Sequence, residues 1–157
     1  MPQCSLAEEV RQATVRGWRL LPVKSRAKNP LVKDWQKVAT SNLDRLEEWA
    51  SKSPECNWGL ATGHDSGVFV LDVDGKEGND ALLVHERAGR ELRDTLTVTT
   101  GRGRHLYFRW PESQHIGNSR GELAAGLDVH GEGGQVVVPP SAHTTGAQYA
   151  YLNRIRL

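Results

Sequence analysis

Apolar and polar positions along the chain change their spacing near Pro54. Before it the spacing is helical. Ser5–Arg16 reads as a helix, with Ser5 as its cap, Glu8 completing a capping box and Gly17 as its stop. Trp18–Val23 (WRLLPV) reads as a short strand that Pro22 confines to a sheet edge. Lys24–Lys37 reads as a loop. Ser41 then caps a second helix, with Asp44 at the box position and Leu43, Leu46 and Trp49 on one stripe. After Pro54 the pattern alternates. Asn57–Thr62 and Val68–Asp74 read as strands. Asn79–Leu92 reads as a helix with Leu82 and Leu83 inward and Ala88 as a third candidate. Thr95–Thr100 and Arg104–Trp110 form a hairpin through Gly101-Arg102-Gly103. Gly126–His130, Gln135–Val138 and Gln148–Leu152 supply three more short strands, and residues 112–124 carry no clear pattern. This order predicts an α+β domain with a largely antiparallel or mixed sheet.

Three of these strands put polar groups on one face, because residues i and i+2 of a strand share a side. In VFVLDVD, Phe69, Leu71 and Val73 share one face, while Val68, Val70, Asp72 and Asp74 share the other. The two aspartates end the strand with α-carbons about 6.5–7 Å apart. Like charges that close repel, and a shared divalent cation relieves the repulsion. In RHLYFRW, Leu106, Phe108 and Trp110 form an apolar face opposite His105, Tyr107 and Arg109. In GLDVHG, Leu127 and Val129 face inward, with Asp128 and His130 opposite. If the three strands are neighbours, they floor a cleft with three carboxylates and an imidazole. Such a donor set suits the hard ions Mg²⁺ or Mn²⁺. Each piece alone also has a plain structural reading, as a solvated turn, a helix cap or an exposed histidine.

Composition narrows the field. The 157 residues suit one domain, and 38% hydrophobic with 25% charged residues is an ordinary globular profile. Twenty basic residues against nineteen acidic ones exclude a polyanion binder driven by overall charge, though not a local basic groove. No apolar run is long enough for a membrane span, and the N-terminus lacks a secretory pattern. Cys4 and Cys56 make no disulfide framework, so a cytoplasmic setting is expected. Asp72-Val73-Asp74-Gly75 resembles the first motif of haloacid-dehalogenase-type phosphatases, but Lys76 stands where that family has threonine. The later acidic motif is missing too, and few residues follow for further α/β units. EF-hand, P-loop and zinc spacings are absent.

The whole constellation resembles the bifunctional DNA primase/polymerase (prim-pol) domain of the archaeo-eukaryotic primase superfamily. The resemblance begins at Gly17-Trp18, Leu21-Pro22-Val23, Lys28-Asn29-Pro30 and Trp35. It continues through Asn57-Trp58-Gly59-Leu60-Ala61-Thr62-Gly63 and the Asp72/Asp74 pair to Thr100–Phe108 around His105. It closes on Gly126–Gly131 around Asp128 and on Gly133–Ser141. The resemblance implies an RNA-recognition-type sheet, mixed or antiparallel, packed with an N-terminal αβ module. The module would cover about residues 1–56 and the catalytic sheet about 57–157 of one domain. It implies template-directed nucleotidyl transfer from NTPs or dNTPs on a single-stranded DNA template and primer, in replication of a plasmid, phage or other mobile element. A helicase usually accompanies such a domain. Asp72, Asp74 and Asp128 would hold two divalent ions, and His105 would contact the triphosphate. Two positions depart from the family pattern: Arg102 replaces a glycine, and His130 stands where an arginine or lysine is common. A non-catalytic nucleotide- or DNA-binding initiator domain is the alternative.

Other residues are secondary candidates. Lys28, in the family-like Lys-x-Pro, is a candidate nucleotide contact, as are His130, Arg104, Ser141 and His143. Lys24, Lys33 and Arg102 are candidates for nucleic acid. Tyr107 is open to sugar selection, base stacking or packing. Trp18, Trp35, Trp49 and Trp58 read as packing residues.

Overall fold

The computed structural model describes residues 6–157, so the expected cap at Ser5 lies outside the described residues. Helix α1 runs Glu8–Val15 from an N-cap at Ala7 that makes no side-chain cap bond. Glu8 and Glu9 instead favour its positive N-terminal end. Gly17 stops it at φ +81°, donating its N–H to the Thr14 carbonyl.

Among the described residues strand β1 (Leu20–Val23) pairs only with β2 (Asn57–Ala61), which pairs on its other side with a later strand, β8 (Gln135–Val138). Pro22 therefore sits on an edge strand, as its missing donor requires. That edge is partly covered by bridges from Leu20 to Thr40 and Val23 to Pro30. The loop before residue 38 contains a single turn of helix, α2 (Trp35–Val38). Helix α3 (Leu43–Lys52) is capped by Asn42 rather than Ser41. The Asn42 Oδ1 accepts the Arg45 N–H at 3.0 Å. Leu46 and Trp49 are buried, while Leu43 is exposed.

A short 3₁₀ turn at His64–Ser66 leads to β3 (Val68–Val73), which is followed by α4 (Gly75–Arg87), β4 (Thr97–Thr99), β5 (Arg104–Arg109), β6 (Ser119–Ala124), β7 (Leu127–His130) and β9 (Ala150–Tyr151). These strands form a six-stranded antiparallel sheet in the order β6-β7-β3-β5-β4-β9. Among the described residues neither sheet has a parallel strand pair, which removes the α/β units that the phosphatase reading needs. The smaller sheet takes strands from both sides of the boundary expected near residue 56, so the two expected modules share it.

Helix α4 starts four residues earlier than its sequence suggests and ends at Arg87. Glycines at 75 and 78 are poor helix formers. Gly78 is nevertheless required, because a Cβ there would press into the Gly126 backbone. Leu82 packs with Leu71, Val73, Leu106 and Leu127 on one face of the large sheet. Leu83 and Ala88, expected inward, are exposed. The other face joins a larger core containing Val68, Val70, Val98 and Tyr107, residues of the small sheet, and Val10, Leu46 and Trp49 of α1 and α3. At its centre Trp18 stacks on Tyr107, with ring centroids 5.1 Å apart and planes 10° from parallel. No described helix is long and apolar enough to cross a membrane.

Candidate active site

The core covers this second face over Val68, Val70, Val98 and Tyr107, and an uncovered part beside them carries polar residues. Strand register sets them in one row. Asp72 pairs across β3–β5 with His105 and across β3–β7 with Asp128, and Asp128 pairs in turn with Arg120 of β6. One step along, Val70 pairs with His130. Neighbouring strands lie about 4.8 Å apart, so these side chains stand shoulder to shoulder. The three strands are therefore neighbours, the condition under which alternation gathers these side chains.

The cleft above the row has a volume of about 440 Å³. Asp72, Asp74, Asp128 and His105 line it, with Lys28, Arg102 and Arg120 supplying its cations. Asp74 occupies the N-cap position of α4, yet its side chain makes no cap hydrogen bond. The carboxylate thus stays available at an exposed position. Asp72 is mostly enclosed. Burial alone would raise its pKa, but His105 and His130 outweigh it and hold the carboxyl well below the usual carboxylate range. The Nε2 atoms of His105 and His130 lie 3.6 and 3.9 Å from the same Oδ2 of Asp72. Those separations are longer than an ordinary hydrogen bond.

His105 is buried, and its Nδ1 has no hydrogen-bond partner among the described residues. His143 enters from the segment after β8 and packs its ring edge against Gly101, where any Cβ would intrude. Its Nδ1 accepts the Thr145 N–H at 3.2 Å, which puts the proton of the neutral ring on Nε2. Burial, then Lys28 and Arg102, lower its pKa against the opposing pull of Asp74 and Asp72. His143 is thus a neutral donor in the cleft at neutral pH. Tyr149 stands between the two rings, with centroids 6.0 Å from His105 and 5.8 Å from His143. Its hydroxyl is pushed up to about 12 by burial and by Asp72, so it stays a neutral donor.

Several expected residues sit elsewhere. Ser141 is buried and bonded to β2, its Oγ accepting the Trp58 N–H at 2.8 Å, and it does not line the cleft. Arg104 shares the Leu106 side of β5, opposite His105, with its Nε buried and unpartnered among the described residues. Lys24 and Lys33 are exposed on the loop away from the cleft. Tyr107, expected on the polar face, is fully enclosed beneath Trp18, which leaves it only the packing role. Trp18, Trp49 and Trp58 are buried and Trp35 packs at the core margin, as read from the sequence. Sequence reasoning missed Arg120, Thr100, Thr144 and Tyr149. Of these, Thr100 carried a signal as the first residue of the family-like segment around His105, and Tyr149 as an aromatic in a strand-like run.

The donor set is of the type a hard divalent cation takes: three carboxylates, one held ionised beside two imidazoles and one uncommitted at a helix start. Among the described residues no three such side chains converge closely enough to enclose an ion. Asp128 is drawn toward β6, its Oδ1 accepting the Gly121 N–H at 2.8 Å and its Oδ2 lying 4.0 Å from the Arg120 Nε.

No curated protein matches the chain. A family model does, over nearly its whole length. By that match to residues 10–156 the chain belongs to the family of bifunctional DNA primase/polymerase N-terminal domains, which points to nucleotidyltransferase-type chemistry in replication.

Proposed function

We propose that the cleft carries out template-directed nucleotidyl transfer. The primer 3′-hydroxyl oxygen would bond to the α-phosphorus of a bound NTP or dNTP, and pyrophosphate would leave. The observation that carries this reading is the single row Asp128–Asp72–His105, with the uncapped Asp74 beside it. Asp72, Asp74 and Asp128 would hold divalent Mg²⁺ or Mn²⁺, which when bound neutralises the charge of the transferring phosphoryl group. His105 and His143 would donate to triphosphate oxygens, and Lys28 and Arg102 would add positive charge at the rim. Arg120 would release Asp128 on loading and turn to phosphate. Template and primer strands are the remaining partners, with a helicase as an associated activity and a mobile genetic element as the setting.

A specific observation favours a second reading. Asp128 is already engaged by Gly121 and Arg120, so the domain could bind nucleotide or DNA without turnover. Extension of a labelled primer on a single-stranded template separates the two. The assay uses dNTPs and then NTPs, in Mg²⁺ and in Mn²⁺. The catalytic reading expects template-dependent products that vanish in Asp72→Ala/Asp74→Ala and in Asp128→Ala. Absence of product from folded protein in every condition, with nucleotide binding retained, establishes the binding module instead.

A further inference from the structure

A second cavity, of about 600 Å³, opens at the other end of β3 and β5. Arg109 pairs with Val68 there, four residues from the Asp72–His105 pair, or about 13 Å at about 3.3 Å per residue. Strand alternation puts Arg109 on the same sheet face as His105. The buried Trp18–Tyr107 stack lies between the two openings. Arg16, Arg109 and Arg156 line the cavity, together with the apolar side chains of Val15, Trp18 and Leu157. None of the three guanidinium groups has an ion-pair or hydrogen-bond partner among the described residues, and no acidic side chain lines the cavity. Glu8 and Glu9 border the adjoining groove, which Arg16 also lines. Arg16 is held with its guanidinium 5.5 Å from the centroid of the Trp18 ring, so it is already positioned. Val15 is 88% exposed, an apolar wall with nothing against it.

We infer that this cavity is a second phosphate-binding site, separate from the catalytic cleft and free of any metal requirement. Three unpaired guanidinium groups match phosphate oxygens through bidentate donation. The apolar wall beside them suits the base or sugar of the same nucleotide unit. Free nucleotide and the backbone of a DNA strand share this chemistry.

The test uses the full chain in EDTA, which removes the metal-dependent contribution of the cleft. One arm titrates a fluorescein-labelled 20-nucleotide single strand, and the other titrates ATP. Arg109→Ala/Arg156→Ala changes two exposed side chains, and a thermal melt verifies its fold. The expected result is at least a 10-fold weaker affinity for one or both probes in that variant. For the strand, the slope of log affinity against log salt should flatten by about 1.4, from about 0.7 per lost phosphate contact. The assay reads metal-free binding and not turnover, so failure here is distinct from failure of the catalytic reading. Loss with the strand alone assigns the site to nucleic acid, and loss with ATP alone assigns it to free nucleotide. Unchanged affinity for both probes in the arginine variant, or no metal-free binding by the parent protein, overturns the inference.

Discussion

Gly103→Ala tests whether the site depends on the close approach of the β4–β5 turn to the end of β3. A Cβ at position 103 would lie 3.0 Å from the Val73 carbonyl carbon, nearer still to its oxygen, and 3.1 Å from the Gly75 nitrogen. All are backbone atoms. Val73 is fixed in the ladder opposite Arg104, and the Gly75 N–H donates to the Arg102 carbonyl at 3.1 Å. No flexible side chain is there to yield. Restoring even the carbon contact from 3.0 Å to the 3.4 Å of ordinary packing needs a shift of at least 0.4 Å, and the oxygen demands more. That shift separates β5 from β3 one residue before the Asp72–His105 pair. Overpacking of this kind costs about 1–3 kcal/mol. For a chain of this size that lowers the melting temperature by about 2–12 °C, at about 2–4 °C per kcal/mol. Misplacement near 1 Å reduces turnover by up to about 100-fold, so primer extension should fall more than stability does. Gly117→Ala is the control, since a Cβ there meets nothing within 4 Å. If Gly103→Ala melts and extends primers like the parent protein, the turn does not set the site geometry and the reasoning is refuted.

Two further outcomes follow from the same geometry. The Tyr107 hydroxyl is buried with no partner among the described residues, so Tyr107→Phe should melt at or above the parent temperature and leave any preference between dNTP and NTP unchanged. A shifted preference in extension assays would restore the sugar-selecting reading. Asp72 has a folded-state pKa below its unfolded value, so its contribution to stability is present above about pH 4 and is lost as pH falls through the folded value. The melting-temperature gap between the parent protein and Asp72→Asn should therefore narrow below about pH 4. In a His105→Ala background the narrowing should begin at higher pH, because burial then opposes ionisation with less compensation. A gap that stays constant between pH 6 and pH 2 contradicts this.

Much of the site was legible because strand alternation is a local rule. The pattern VFVLDVD fixes which face Asp72 takes, and the same rule orients His105, Asp128 and His130. Strand order is not local, and nothing in the spacing says that β7 and β5 flank β3. The family-like motifs supplied that expectation. Strand β6 was invisible for a physical reason. As an edge strand it has no buried residue, so SRGELA shows no apolar alternation, and Arg120 went unnoticed with it. The start of α4 was misplaced because Gly75 and Gly78 answer to tertiary contact with Arg102 and Gly126 rather than to helix propensity. Asn42 displaced Ser41 as a cap although both residue types are suited to the position, and their order in the chain does not decide between them.

Tyr107 shows most directly where alternation stops being informative. It shares a face with His105, and the sequence alone gives the two the same status. In the fold the small sheet and Trp18 cover that face as far as Tyr107 and leave it at His105, which is buried yet lines the cleft. The boundary between core and chemistry thus runs across β5 between residues two apart, set by an element eighty-odd positions earlier in the chain. Beyond Tyr107 the same face is uncovered again at Arg109, where three guanidinium groups meet an apolar wall. The cover over Val68, Val70 and Tyr107 thus leaves two openings at the ends of β5, one lined by carboxylates and imidazoles and the other by Arg109 with its neighbouring arginines.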